Sequence, residues 1–240
     1  FDTYMKGGLL VNFTLRHPRW FGNRLTVDAR LSEYHGIKLA TFYYAGMHPD
    51  IGIGVETEAN RFDVDTYTAG SGGKRVSGSY TLTASHFRVT ASTSLGNSVS
   101  LGAGAEKKLF LVDPKMSEDI EHRMYLETAG AFVFAKADTL DRYYYPNCGL
   151  FADIRARYVS DDLNIRSDSS FRPFEKYTAA IGSALPLPFG MSLQADFRIG
   201  RIQGRNIPLS ELFYLGGMYT YSTDFTPFPG LNFMELSGRN

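Results

Sequence analysis

The sequence predicts an all-β fold, an antiparallel transmembrane β-barrel, on three observations. Apolar and polar residues alternate with a period of two through most of the 240 residues. Many alternating runs approach the ~9–11 residues that cross a bilayer at a tilt, whereas strands of soluble domains average nearer ~5–6. The apolar columns are rich in alanine and threonine, while the opposite columns repeatedly carry full charges. A space-filling core with a merely polar exterior does not call for that division.

The elements follow in order. Leu9, Val11, Phe13 and Leu15 oppose Asn12, Thr14 and Arg16. Leu25, Val27, Ala29 and Leu31 then oppose Thr26, Asp28, Arg30 and Ser32. A helix would scatter these four apolar residues around its circumference, and a strand collects them on one side. The pattern returns at Phe87, Val89 and Ala91, at Val99 to Ala105 in steps of two, and at Leu150, Ala152, Ile154, Ala156 and Tyr158. It closes with Met191, Leu193, Ala195, Phe197 and Ile199. Turn-like sequence separates the runs at Gly22-Asn23, Tyr34-His35-Gly36, His48-Pro49-Asp50, Gly70-Ser71-Gly72-Gly73, Gly96-Asn97 and Asp113-Pro114. Further turns are expected at residues 138–141, 160–170, 186–190 and 204–208. Roughly eleven or twelve strands result, and no segment has helical periodicity. Aromatic clusters at Trp20-Phe21, Phe42-Tyr43-Tyr44, Tyr143-Tyr144-Tyr145 and Phe213-Tyr214 fall near strand ends, where amphipathic rings meet lipid headgroups.

Composition agrees with this reading. No run approaches the ~18 apolar residues of a membrane helix. Yet 15 Tyr, 18 Phe and 24 Gly in a mildly polar chain suit strands that are apolar on one face only. The 25 basic and 25 acidic residues balance, which gives no electrostatic case for nucleic acid as a partner. The single cysteine, Cys148, rules out an internal disulfide framework. The chain opens in strand-like sequence without a leader and reads as a mature fragment.

Chemistry-bearing motifs do not emerge. There is no Gly-x-Ser-x-Gly elbow, phosphate loop, paired-cysteine site or His-Glu-x-x-His, so neither a cofactor nor a metal is expected. The histidines, His17, His35, His48, His86 and His122, are scattered without ligand-like neighbours at helical or hairpin spacing. Ser85 and His86 are adjacent on a strand and therefore point to opposite faces, which prevents a catalytic pair. A triad built from His86 or His122 with a serine on a neighbouring strand is the remaining enzymatic reading, and catalytic residues are expected to be absent. The polar columns carry Arg88, Asp153, Arg155, Asp196 and Arg198, expected to line a wet lumen. Their alternating signs favour charges that pair with one another over a selective ring.

Two stretches resemble a known family. Asp138-Thr139-Leu140-Asp141-Arg142-Tyr143-Tyr144-Tyr145-Pro146-Asn147-Cys148-Gly149, followed by an alternating strand, is similar to a motif of the BamA-like bacterial surface-antigen barrels, with Pro146 and Gly149 at matching positions. Leu212-Phe213-Tyr214-Leu215-Gly216-Gly217, followed by Thr226-Pro227-Phe228-Pro229-Gly230-Leu231, resembles a region near the end of the same barrels. Gly216, Gly217 and Gly230 carry that likeness, which is greatest to the barrel behind patatin-like phospholipases; Asn232 stands where the family has an arginine. The resemblance implies a bacterial outer-membrane location and a sixteen-stranded barrel, of which residues 1–240 form one domain lacking upstream soluble domains and the last strands. It also implies that any lipase chemistry resides upstream, and that the partners are outer-membrane lipids and the protein's own N-terminal domain or a secreted passenger. The expected function is an anchoring or translocator barrel. The alternative is a porin-like channel for small polar solutes.

Overall fold

The structure, a computed structural model, describes residues 9–16, 23–31, 35–44, 51–70, 73–96, 98–117, 122–142, 146–160, 171–216, 225–226 and 236–239. Ten strands form one antiparallel meander in chain order, each hydrogen-bonded to the next. They are β1 (Leu9–Arg16), β2 (Arg24–Leu31), β3 (His35–Tyr44), β4 (Ile51–Gly70), β5 (Gly73–Leu95), β6 (Val99–Ser117), β7 (Met124–Asp138), β8 (Gly149–Ser160), β9 (Phe174–Pro186) and β10 (Ser192–Gln203). Three short strands, β11 (Phe213–Leu215), β12 (Phe225–Thr226) and β13 (Leu236–Gly238), make a separate small sheet in which β11 is central. The large sheet is open, with β1 and β10 at its edges. Trp20-Phe21, Tyr143-Tyr144-Tyr145, Gly217, Gly230 and Asn232 lie outside the described residues.

Two expected turns are corrected. Asp113-Pro114 does not end a strand: β6 runs through it to Ser117, with Pro114 opposite Tyr80 where the β5 register shifts. A proline lacks the N–H that a regular ladder needs, and an irregularity of this kind accommodates the loss. His35 and Gly36 likewise begin β3 rather than belonging to the preceding turn.

The register places the alternating columns on two continuous faces. Val27 pairs with Phe13 and Leu39, and Ile181 with Ala152 and Phe197. On this apolar face large side chains stand open, including Ile51 at 61%, Phe197 at 62% and Ile199 at 60% exposure. So much accessible apolar surface exceeds what a soluble monomer carries. The opposite face joins Glu56 to Arg88, Arg88 to Glu106, and Arg157 to Lys176 in direct cross-strand pairs.

Towards the Gly70/Gly73 end the polarity of the two faces inverts. On β4 the outward column runs Ile51, Ile53, Val55, Thr57 and Ala59, then turns to Arg61, Asp63 and Asp65. On β6 it meets Lys107, which pairs with Glu127 of β7 at 2.5 Å, before continuing through Leu109 and Leu111 to Asp113. In the same stretch the inner face becomes apolar, where Tyr80, Val112 and Leu126 form a buried cluster with Leu82, Phe110 and Met124 against it. The long strands β4, β5 and β6, of 20, 23 and 19 residues, supply this extension.

Close packing on the inner face depends on aromatic rings laid over glycines. A Cβ on Gly102 would come within 2.5 Å of Phe134, and one on Gly104 within 2.6 Å of Phe132. After β10 the chain folds back along the same face. Phe213 lies over Gly200, where a Cβ would overlap its ring. Ile207, Leu212 and Phe213 pack against a cluster of Val159, Phe171, Phe174 and Ile202. The Ile202 amide donates to the Arg239 carbonyl at 2.9 Å, bringing the far end of this segment back to β10.

Candidate functional site

The inner face owes its character to arithmetic on the strands. Because side chains alternate, a column such as Arg88, Glu106 and Arg157 gathers charges from strands far apart in sequence. Two buried carboxylates organise them. Glu106 on β6 is 5% exposed and takes Arg88 at 3.0 Å, His86 at 3.0 Å and the guanidinium of Arg157. Glu211, in the short 3-10 turn Leu209–Glu211 of the folded-back segment, is wholly buried. Its carboxylate is bound by Arg157, lies 3.5 Å from Lys108 and 3.8 Å from Lys176, and accepts a hydrogen bond from Thr128 Oγ1 at 2.9 Å. Lys176 also donates to the Glu211 backbone carbonyl at 2.6 Å.

Burial alone would push the Glu211 carboxyl up, but Arg157, Lys108 and Lys176 outweigh it and hold the group well below the usual carboxylate range. Arg157 therefore joins the sheet's own charge lattice to the returning segment. The arrangement fastens that segment to β6–β9 by ion pairs whose loss would strand buried charge.

The residues expected in the wet columns divide. Arg88 and Arg155 stand at the centre, Arg88 paired with Glu56 and Glu106, and Arg155 5.5 Å above the Phe132 ring. Asp153 pairs with Lys136 at 3.1 Å. Asp196 and Arg198 pair with each other at 3.1 Å on the exposed edge strand and stand apart from the network. Glu211, Lys176 and Thr128 escaped sequence reasoning. Glu211 sits in Pro-Leu-Ser-Glu-Leu, which carries no local signal, and its partners come from four different strands.

Of the two hairpin-motif residues, Gly149 adopts φ +115°, a conformation closed to most side chains. Asp141 shapes the same turn by accepting from the Asn147 amide at 2.8 Å and the Cys148 amide at 3.2 Å. The Pro146 carbonyl accepts from Gln194 Nε2 at 3.0 Å. Gly216, at φ +135°, donates its amide to the Thr226 carbonyl at 3.1 Å and so joins β11 to β12. Cys148 is a free, exposed thiol.

His86 has neighbours that its sequence position hides. It stands directly across from Glu58 on β4 and Lys108 on β6, not from a serine. Ligand atoms of His86, Glu56 and Glu58 lie within 4.8 Å of one another. Each already has a protein partner: Lys38 lies 2.9 Å from Glu56, Asn60 Nδ2 donates to Glu58 at 2.7 Å, and His86 meets Glu106. His122 lies in the bend between β6 and β7.

Comparison with known proteins gives one family. The family model described as the OMP85 superfamily matches residues 1–240. No curated protein matches the chain.

Proposed function

Because the chain belongs to the OMP85 superfamily, we propose that it is an outer-membrane barrel of the translocator or insertase kind, most like the barrel that follows a patatin-like phospholipase domain. The observation that carries this reading is the inversion of the two faces. A sheet with an apolar exterior and charged interior along one stretch, and an apolar interior with a more polar, partly charged exterior beyond it, suits strands that leave lipid for water partway along their length. On β4 the apolar column spans residues 51–59 before Arg61, roughly the height of a bilayer's hydrocarbon at a ~40° tilt. The work would be done by barrel geometry, with lipid as the outer partner and a passenger or the protein's own N-terminal domain as the inner one. The returning segment held by Glu211 occupies part of the inner face, which weighs against the porin-like alternative.

Spin labels at Leu25, Val27, Ala29 and Leu31 in vesicles are expected to respond to a lipid-soluble relaxer. Labels at Asp28 and Arg30 should respond to a water-soluble one, since a single-residue slip of register would exchange the two sets. Equal access at both sets would end the barrel reading. The finer likeness to patatin-like proteins is tested separately, by the presence of a Gly-x-Ser-x-Gly elbow encoded upstream in the same gene.

A further inference from the structure

Nearer the Gly96 end of the inner face, beyond the Glu106–Glu211 network, the strands enclose a cleft of about 200 Å³. Four cations line it, Arg24, Arg88, Lys136 and Arg155, against a single carboxylate, Glu56. Two aromatic rings from β7 share the lining, Phe132 and Phe134, their centroids 6.2 Å apart. The Arg88 and Arg155 guanidiniums both lie over the Phe132 ring, 5.4 and 5.5 Å from its centre, and the Lys136 ammonium lies 5.8 Å from the centre of Phe134.

Among the described residues that line the cleft, cations outnumber carboxylates. Asp153 answers Lys136, while Glu106 must serve Arg157 and His86 as well as Arg88. Arg88 and Arg155 also line an adjoining void of about 20 Å³, whose other walls are Glu106, Lys108, Arg157, Lys176 and Thr178. The cleft therefore adjoins the network in which Glu106 and Glu211 bind Arg157, Lys108 and Lys176. A guanidinium carries its N–H donors along a planar edge, the geometry that grips an oxyanion through two parallel hydrogen bonds. Arg88 already directs Nε and Nη2 to Glu106 and Nη1 to Glu56. On the opposite wall the Phe42 ring lies against Gly54. The volume equals roughly six or seven water molecules at about 30 Å³ each, enough for one phosphate-sized group with part of its hydration.

We infer that this cleft is a binding site for a phosphate-type oxyanion, borne by a small solute or by a lipid headgroup. The inference rests on the proposed reading of the inner face as a water-accessible lumen wall, because the site must be reached from water or from a headgroup at its rim. The anion would meet Arg24 and Arg155 and would be held between β2 and β8. Opposed charges on the Glu56 side would orient it towards the arginines.

The test is calorimetric titration of the intact protein, folded in amine-oxide micelles that contain no phosphate, with inorganic phosphate and with dihexanoyl phosphatidic acid. Saturable binding is expected with at least one of them. Response to inorganic phosphate assigns the site to solutes, and response to the lipid alone assigns it to headgroups. Arg155→Gln should weaken binding about tenfold, the weight of one charge-assisted hydrogen bond. Arg24→Gln, an exposed residue on a strand near the sheet edge, provides a second variant should the first fail to fold. Arg198→Gln, on the same face but outside the cleft, should leave affinity unchanged. Absence of saturable binding to either probe would overturn the inference, as would an equal loss in Arg198→Gln or no loss in both cleft variants. Binding by a protein that does not insert into vesicles would sustain the site and sink the membrane reading; insertion without binding would do the reverse.

Discussion

A carboxylate that loses all contact with water must be matched by cations, and Glu211 is matched by Arg157, Lys108 and Lys176. Glu211→Gln keeps the shape of the side chain but leaves the buried Arg157 and Lys176 and the partly buried Lys108 short of a counter-charge. The expected cost is about 3 kcal/mol, read from the urea midpoint of the folded protein in micelles. Hydrogen exchange in residues 207–215 should rise in the same variant, because these residues have no strand ladder of comparable length to hold them. The pH dependence has a definite sign. Folding lowers the Glu211 carboxyl below its ordinary value of 4.5, so its contribution is complete above that value and is lost as pH falls below it. Wild-type exchange in this segment should therefore rise on acidification below about pH 4.5, while Glu211→Gln should show no such step. None of this was legible in the sequence. A local pattern reveals which residues share a strand face, but not that a distant Leu-Ser-Glu turn returns to that face. The alternating signs suggested charges that pair with one another, and Arg88, Asp153, Asp196 and Arg198 each have such a partner. The gathering of Arg24, Arg88, Lys136 and Arg155 at one cleft depends on cross-strand register, which no local pattern shows.

At the scale of elements, alternation proved a reliable guide because a strand's side-chain period is fixed by its backbone, whatever its partners. The Leu25–Leu31 and Leu193–Ile199 columns stand where the sequence puts them. Boundaries were harder. Asp113-Pro114 reads as a turn by residue type, yet β5 and β6 pair on both sides of it through a register shift. Residue chemistry marks where a chain can turn, and only pairing decides whether it does. Packing between elements was equally hidden, as at Gly200 and Phe213. Gly200→Ala places a methyl group in the volume of the Phe213 ring and should loosen β11 and the segment that precedes it. The expected loss is about 1–3 kcal/mol, the usual range for overpacking. Phe213→Ala removes the ring at a cost of its own. The double variant should be more stable than the two separate losses predict, since the clash no longer exists. Strict additivity of the two changes in urea unfolding would show that the ring does not rest on Gly200.

For the molecule as a whole, the solvent on each side of the sheet is the quantity to establish, and β10 offers the cleanest place to ask. It is an edge strand paired with β9 on one side only, and Leu193, Ala195, Phe197 and Ile199 project from its apolar face. Arg201 continues that column, so Ala195 lies well inside the apolar band rather than at its charged border. Ala195→Arg puts a guanidinium into that band. If hydrocarbon surrounds it, the cost is about 2–4 kcal/mol, moderated only as far as the side chain can reach towards headgroups. Gln194→Arg, one residue away, adds the same charge to the opposite face. There it loses an amide bond to the Pro146 carbonyl that arginine can also donate to, so its cost should stay near or below about 1 kcal/mol. The contrast between the two substitutions matters more than either value, because length, charge and strand position are shared and only the facing differs. In water the same pair should differ little, since Ala195 is exposed in the open sheet and an exposed arginine is nearly neutral to stability. Refolding into lipid vesicles should therefore separate the variants, with Ala195→Arg the weaker. Equal stability of the two in vesicles would mean that the apolar face of this sheet is covered by something other than lipid.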